Sequence, residues 1–358
     1  MEDDPDGGVR RTGAIPVLSA TVVVGAIAYV VLLVAPVILD ELEYTRFTGF
    51  WSAVYLVVAA LVAIQLEVSR SALPAKTPSN GTIRRMLLII VPVVALVTFG
   101  GFLAIGPAVF GGDLLIFAAA GPIGAAGYVA TAVVSGILSG IGAWRSVALL
   151  MTADAIVRGV LVVTLLLVGA PIWAVALAIA LPFGLIPLVL WPALRSTIVG
   201  QFTLDAPIAR VIANMGAILP GTAASAILVS GLPAIVAILR PETPVALLAT
   251  SMLVLTLARA PFATIAVALQ GVLIVRLRTT TGIRNLIVAI VAILGAGLLA
   301  AVVIWPIAPF LVGAVLGPQS TINGWFAAAL VASGGAVAAM YLTGSTLIAR
   351  GEQVWQSI

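Results

Sequence analysis

Ten apolar runs, each long enough to cross a membrane, constrain the fold of this chain more than any other feature. About 20 mostly apolar residues span the hydrocarbon core of a bilayer, and a soluble fold has no use for so many such runs. Of the 358 residues, 62% are hydrophobic and only 8% are charged. The sequence therefore predicts an all-α, polytopic membrane protein with about ten transmembrane helices. The runs are approximately 15–39, 47–66, 86–105, 114–137, 146–168, 172–194, 212–239, 245–275, 286–304 and 325–348.

The basic residues fall almost entirely on one side of the predicted membrane. With a cytoplasmic N-terminus, thirteen basic residues lie on the cytoplasmic side and two, Arg46 and Arg240, lie outside. Lys and Arg are enriched in short cytoplasmic loops. We therefore predict a multi-pass protein of the cytoplasmic (plasma) membrane with both termini in the cytoplasm. Residues 1–8 are acidic and lack the basic n-region of a signal peptide. We therefore predict that 1–14 form a cytoplasmic tail and that the first span is a retained anchor.

The composition also excludes several classes of function. The chain contains no Cys and no His, which removes disulfides, thiol nucleophiles and the commonest metal ligand. We expect no cofactor and no metal site. The net charge of +4 is spread between apolar runs, so membrane orientation explains it better than nucleic-acid binding does.

Two opposite charges, Asp154 and Arg158, interrupt one of the apolar runs. They are four residues apart, so on a helix they share a face and can form an ion pair. Arg158 follows Arg145 by about 20 Å at about 1.5 Å per residue, which places it near the bilayer centre. Such a pair must face protein or a water-filled cavity. Arg158 could bind a phosphate or serve as a structural pair, and Asp154 could orient Arg158 or bind a coupling cation or proton.

Three further polar residues lie within predicted spans. Arg259 has no acid within one helical turn and precedes Pro261, so we expect it to face a cavity, with snorkelling or a backbone partner as the alternative. Asn214 and Gln270 could contact sugar hydroxyls. Interhelical hydrogen bonding is the commoner use of such side chains in a membrane.

Glu67 and Arg70 mark the predicted cytoplasmic end of the second span. The simpler interpretation is a solvated salt bridge, worth less than about 1 kcal/mol. The alternative is a gate, in which these residues close the cytoplasmic mouth by pairing across two lobes.

A weak internal repeat suggests that there are two such lobes. Pro107-Ala-Val-Phe-Gly and Pro309-Phe-Leu-Val-Gly lie 202 residues apart. We predict an N-terminal six-helix lobe over 15–197 and a shorter four-helix lobe over 198–358, with a central site between them. Prolines inside the runs predict bent helices around a cavity.

Three segments together resemble a known family. They are Phe50-Trp51 through Gln65-Leu-Glu-Val-Ser-Arg70, Gly136-Ile-Leu-Ser-Gly140 through Trp144-Arg145 to Asp154 and Arg158, and Leu257-Ala-Arg-Ala-Pro261 through Leu269-Gln-Gly271. They resemble the polysaccharide and oligosaccharide flippases of the multidrug/oligosaccharidyl-lipid/polysaccharide exporter superfamily. Members have two six-helix bundles around a central cavity, so ten readable spans depart from the pattern.

The resemblance implies a transporter that flips a lipid-linked saccharide, a precursor of cell-envelope polysaccharide, across the membrane by alternating access. Lipid-linked saccharide and membrane lipids are then the expected partners, and polysaccharide assembly proteins remain open as further partners. In this interpretation Arg158 and Arg259 bind the pyrophosphate and Asp154 positions Arg158. No enzymatic activity is expected.

Three other functions remain open at the level of sequence. The same architecture could serve a cation-coupled exporter of small amphipathic molecules. The acidic residues Asp40, Glu41 and Glu43 could instead belong to a multispanning glycosyltransferase that takes sugar from a lipid carrier. A shortened, transport-inactive partner of a larger assembly is the third alternative.

Overall fold

The computed structural model describes residues 14–76, 81–110, 114–227, 262, 265–266, 283–316 and 322–349. In these ranges the chain forms helices joined by short connections and one two-stranded sheet. The elements are α1 (Ala14–Ile38), α2 (Glu41–Ser71), β1 (Ala72–Pro74), α3 (Thr82–Phe110), α4 (Leu114–Gly140), α5 (Trp144–Leu167), α6 (Ile172–Ala180), α7 (Pro182–Ile198), β2 (Phe202–Leu204), α8 (Ile208–Ala226), α9 (Ile283–Leu316) and α10 (Gly324–Ala349).

The predicted all-α membrane fold is confirmed. Seven of the described helices are long and apolar enough to cross a membrane. The pair α6 and α7, bent by 44°, meets the same criterion when the two helices are taken together, which gives up to eight spans. The seven are α1, α2, α3, α4, α5, α9 and α10. The seventh predicted run, 212–239, is described only up to residue 227. Helix α8 covers this part of it. The eighth run lies outside the described residues apart from 262 and 265–266.

The apolar runs 15–39 and 47–66 predict a loop at residues 40–46, and this prediction is wrong. Asp40 is the N-cap of α2, and its carboxylate accepts a hydrogen bond of 2.8 Å from the Glu43 backbone N–H. A capping carboxylate satisfies a donor that the first helical turn leaves free and also favours the positive end of the helix dipole. Helix α2 therefore begins at Glu41, ahead of the apolar run, and only Leu39 and Asp40 connect it to α1.

A small antiparallel sheet joins two distant parts of the chain and was not predicted. Strand β1 pairs with β2 so that Leu73 lies opposite Thr203. The Ala75 N–H donates to the Gln201 carbonyl at 3.1 Å, which extends the pairing beyond the strands. Gly200 has a φ of +75°, a conformation that glycine adopts without steric cost, and this turns the chain from α7 into β2. We call the end of the bundle that carries this sheet the sheet end.

Helix α4 is the packing centre of the first eight helices, because it contacts α2, α3, α6 and α7. Its Phe117 packs against Phe50 of α2 with ring centroids 5.3 Å apart, and Phe50 meets Phe102 of α3 at 5.9 Å. All three rings are buried. Helix α1 packs against α5, and α8 packs along α2. The first span is thus held against the fifth.

Small residues allow α4 and α2 to approach closely at the sheet end. A Cβ atom on Gly136 would lie 2.8 Å from the Val68 Cβ, and one on Gly140 would lie 2.7 Å from the Ala72 carbonyl oxygen. The two glycines are four residues apart and form the small-xxx-small pattern common at membrane helix interfaces. Glycine is required at both positions for this packing.

We expect Gly136→Ala to lower the stability of the protein by about 1–3 kcal/mol, the usual cost of overpacking. Inside a helix Ala is normally more favourable than Gly by about 1 kcal/mol, so steric contact must reverse the sign. Gly100→Ala in α3 is the matched control, since nothing lies within 4 Å of a Cβ there. Thermal unfolding in detergent micelles measures both. Equal stability of the two variants would contradict the packing described.

Candidate functional site

Asp154 and Arg158 form the predicted ion pair on α5. The Arg158 Nη2 donates to both carboxylate oxygens of Asp154, each at 2.6 Å. The Arg158 side chain is 4% exposed and that of Asp154 is 20% exposed. A charged guanidinium removed from water this fully requires a partner, and the carboxylate one turn earlier provides it.

The other end of the guanidinium stabilises the break between α6 and α7. The Arg158 Nη1 donates to the carbonyl of Ile179, which lies in the last turn of α6, where the chain bends by 44° into α7. The Arg158 Cζ also lies 3.5 Å from the centroid of the Phe183 ring, in cation–π geometry. Arg158 therefore connects α5 to both halves of the bent span.

A threonine stabilises the same bent span from α4. The Phe183 carbonyl would accept a hydrogen bond from residue 187 in a regular helix, but that residue is a proline and has no N–H. The Thr131 hydroxyl donates to this carbonyl instead. Backbone freed by proline within a membrane must find such a partner.

Aromatic rings enclose the pair. Phe183 packs edge to face against Tyr128 at 5.5 Å and against Tyr55 at 6.3 Å, and Tyr55 continues to Trp51 at 4.7 Å. Arg158 is thus in contact with a carboxylate, a carbonyl and a ring at once. This arrangement agrees with a structural pair that orders α5, α6 and α7, and phosphate binding by Arg158 stays a prediction.

A second polar group lies at the sheet end, and we call Glu67, Arg70, Asp205 and Asn214 the Glu67 cluster. The Glu67 side chain is fully buried. Its two carboxylate oxygens accept from Arg70, at 2.7 Å from Nη2 and 2.8 Å from Nε. Arg70 Nη1 donates at 2.9 Å to Asp205, which directly follows β2. This bidentate and buried geometry differs from the solvated surface pair of the simpler interpretation.

Asn214 links this cluster to α8. Its Nδ2 donates to Glu67 Oε1 at 2.8 Å, across 147 positions of sequence. Two turns further along α8, the Thr222 hydroxyl donates to the Ala60 carbonyl of α2 at 2.8 Å. Helices α2 and α8 therefore run side by side from the sheet end inwards, and the contact crosses the predicted lobe boundary between residues 197 and 198.

The structure brings three of the predicted site residues together and leaves two others apart from them. Glu67, Arg70 and Asn214 are in direct contact, whereas Asp154 and Arg158 form a separate group. Tyr55, which packs against Phe183 beside Arg158, precedes Glu67 by twelve positions on α2, or about 18 Å along a helix. Arg259 and Gln270 lie outside the described residues.

Sequence reasoning missed Asp205 and Thr131. Asp205 is an ordinary loop acid by sequence, and only the pairing of β1 with β2 brings it beside Arg70. Thr131 had a signal, because Pro187 frees a carbonyl that some side chain must satisfy, but its partner could not be read from spacing. Among the described residues no three His, Cys, Asp or Glu side chains group as a metal site would require.

Comparison with solved structures shows the fold. The chain superposes on the outward-facing conformation of a multidrug resistance MATE family transporter of the MOP superfamily with a TM-score of 0.68 and 15% identity, covering 98% of this chain and 84% of that one. The MATE transporter VcmN of Vibrio cholerae in its bent form gives 0.64 and 17%, covering 98% and 86%. A MOP superfamily transporter of Pyrococcus furiosus, described as having a binding pocket of reversed polarity that suggests a different function, gives 0.63 and 15%, covering 99% and 86%. The chain therefore has the MATE transporter fold.

Among the proteins similar in sequence are several from mycobacteria. The uncharacterized protein Rv1510 of Mycobacterium tuberculosis is 26% identical over 96% of this chain and 81% of its own length. The uncharacterized protein Rv3630 of the same organism is 27% identical over 96% and 80%. No protein-family model matches the chain.

We expect Thr131→Val to destabilise the protein by about 1–3 kcal/mol, since it leaves the Phe183 carbonyl buried without a donor. Pro187→Ala restores a backbone N–H four residues after Phe183, so the same Thr131→Val change should cost far less in that background. The measurement is a double-mutant cycle of thermal unfolding in detergent. Thr98→Val is the control, because the Thr98 hydroxyl donates only to carbonyls of its own helix. Equal costs of Thr131→Val in both backgrounds would contradict this assignment.

Proposed function

We propose that the protein is an alternating-access membrane transporter and that the Glu67 cluster closes its sheet end. The observation that carries this proposal is the bond between Glu67 on α2 and Asn214 on α8, two helices that the sequence assigns to different lobes. The likeness to an outward-facing MATE transporter supports closure at one end. With the predicted orientation, the closed end faces the cytoplasm.

An ionic network that is buried at Glu67 and reaches the surface at Asp205 suits an end of the protein that closes and opens again. Glu67, Arg70, Asp205 and Asn214 each have a partner within the cluster in the closed state. Each can exchange that partner for water when the helices separate. Apolar contacts alone would expose hydrocarbon-like surface to water on opening. In the closed state Asp205 and Asn214 both approach α2 from the segment after α7, so a movement of that segment breaks two contacts together.

For the transported substrate we propose a lipid-linked saccharide, flipped from the inner to the outer leaflet. A lipid pyrophosphate needs cationic donors, and Arg259 is an arginine in an apolar run with no acid within one turn. Arg158 is already bonded to Asp154 and Ile179, which supports a positioning role for it. Gln270 remains a proposed contact for the sugar. The proposed role of Asn214 is in closure.

A cation-coupled exporter of small amphipathic molecules is the second candidate, and one observation favours it. Asp154 is a carboxylate inside the bundle that keeps 20% of its side chain exposed. Binding of a proton or cation there would compete with Arg158 and loosen the bent span. The transferase alternative loses support, because the Asp40 carboxylate is used as a helix cap and the structural neighbours are transporters.

The closure is tested by the reactivity of a buried reporter. The chain has no native cysteine, so Ile218→Cys, a fully buried position of α8 between Asn214 and Thr222, gives a single thiol. Adding Asn214→Leu removes the bond to Glu67 but keeps the Glu67–Arg70 pair. We expect the thiol of Ile218→Cys to react several-fold faster with a water-soluble maleimide when Asn214→Leu is present than when it is absent. The reason is that α8 separates from α2 more often without the Asn214–Glu67 bond. Gln201→Leu, an exposed amide outside the cluster, is the control, and an unchanged rate in the Asn214 variant would refute the closure.

The substrate is tested in cells depleted of the protein. We expect a complete lipid-linked saccharide to accumulate on the inner leaflet, where an impermeant reagent added outside does not reach it. Expression of the wild type or of Arg195→Ala, an exposed arginine at the end of α7, should restore the outer pool, whereas Arg259→Ala should not. An unchanged pool, combined with ion-dependent efflux that Asp154→Asn abolishes, would select the exporter instead. An incomplete saccharide on the outer leaflet would select the transferase.

A further inference from the structure

Six basic side chains at the sheet end are exposed to the surroundings. Lys76 follows β1, and the adjacent pair Arg84 and Arg85 lies in the first turn of α3. The other three lie at the start of α5, in the last turn of α7 and at the start of α8, and they are Arg145, Arg195 and Arg210. We call these six residues the basic face.

The packing of α3 against α4 places Arg84 and Arg85 at the sheet end. A Cβ atom on Gly121, early in α4, would lie 2.6 Å from the ring of Phe102, late in α3, so the two helices run antiparallel. Helix α4 ends at Gly140, which packs against Ala72 at the sheet end. The start of α3 therefore lies at this end as well.

In the described part of the chain, no acid neutralises the basic face. The acids at the sheet end are Glu67 and Asp205, and both are bonded to Arg70. The first turns of α3, α5 and α8 contain no acid. Asp40 and Glu43 lie at the opposite end of α2. The basic face therefore carries a positive charge that these residues leave uncompensated.

Arg85 lies at the end of a lipid-facing stripe of α3. Only 22% of the span in α3 is buried, so this membrane-crossing helix borders hydrocarbon over most of its circumference. On the face of Arg85, Leu88 and Ile89 are 64% and 49% exposed, and Leu96 is 73% exposed two turns further along. Arg85 thus lies one turn, about 5 Å, beyond exposed apolar side chains. Phospholipid headgroups occupy this boundary between hydrocarbon and water.

Membrane orientation does not account for the position of the arginine pair. Basic residues anywhere in a short cytoplasmic loop are enough to set orientation. In the first turn of a helix, a cation is disfavoured by the positive end of the helix dipole. Arg84 and Arg85 repel each other and this helix end, and an anion bound to both relieves the repulsion. A phosphate group suits them, because a guanidinium donates to two of its oxygens at once.

We propose that Arg84 and Arg85 bind the headgroup phosphate of an anionic phospholipid in the leaflet at the sheet end. The hydrocarbon chains of this lipid lie along Leu88 and Leu96 of α3. The rest of the basic face attracts anionic lipid by its charge without fixing a position for it. The proposal is independent of the transported substrate and holds equally for a flippase and for an exporter.

Lipid retention by the full chain, measured by native mass spectrometry, tests the proposal. The protein is purified in a neutral detergent and mixed with equal amounts of phosphatidylglycerol and phosphatidylcholine. We expect the wild type to retain several-fold more phosphatidylglycerol than phosphatidylcholine. Arg84→Gln combined with Arg85→Gln should remove most of this preference. Arg84→Lys combined with Arg85→Lys keeps the charge and should keep the preference in large part.

Arg195→Gln combined with Arg210→Gln is the matched control, because it removes the same charge from two different helices. It should leave the preference largely intact. Thermal unfolding in detergent without added lipid should be the same for all variants, which shows that they are folded. Inorganic phosphate should not displace the lipid, since it has no chains to contact α3.

Equal retention of the two lipids by the wild type would overturn the proposal. Equal losses in the two double glutamine variants would also overturn it, because they would show an effect of net charge alone. Displacement of the lipid by inorganic phosphate would make the pair a site for a free anion. A preference that appears only after the acids of residues 2–6 are changed to amides would show that the acidic N-terminus of the chain occupies the basic face.

Discussion

Within a membrane, neither a charge nor a backbone carbonyl can be left without a partner, and Arg158 meets both requirements at once. Its guanidinium neutralises Asp154 and donates to the Ile179 carbonyl at the bend between α6 and α7. An unsatisfied group in hydrocarbon costs several kcal/mol. The bend and the ion pair therefore depend on each other. Without the bend the guanidinium would lose an acceptor, and without the guanidinium the bent span would keep an unpaired carbonyl.

The Asp154–Arg158 pair and the Glu67 cluster therefore differ in how they would respond to a movement within the molecule. The hydrogen-bond partners of Arg158 and the ring beneath it lie on α5, α6 and α7, which belong to one continuous stretch of chain and share one hydrophobic core. A movement between two halves of the molecule leaves such a group intact. The Glu67 cluster includes Asp205 and Asn214 from the following segment, so the same movement must break it. In the proposed mechanism, Arg158 and Asp154 would keep the bundle ordered, and the Glu67 cluster would break and re-form.

Prediction from sequence was strongest where hydrophobicity alone decides. The spans and the Asp154/Arg158 pair followed from run length and helical spacing. The start of α2 was misplaced because a single capping residue, Asp40, extends the helix beyond its apolar stretch. The β1–β2 pairing was missed because three-residue strands carry too little pattern, and Asp205 was missed with it. Contacts that depend on which helices are neighbours, such as Thr131 with Phe183, leave no trace in local spacing.

Two glycines of α4 support the sheet end through close helix packing. Gly136 and Gly140 hold α4 against the end of α2, directly below Ser71, whose carbonyl accepts from the Asp205 N–H at 2.9 Å. The position of Asp205 beside Arg70 is therefore fixed by backbone pairing on a helix end that is itself tightly packed. Rigid support on the α2 side means that the energy of breaking the cluster falls on the segment from β2 to α8. In the proposed closure, that segment, and not α2, is the part of the described chain that would move.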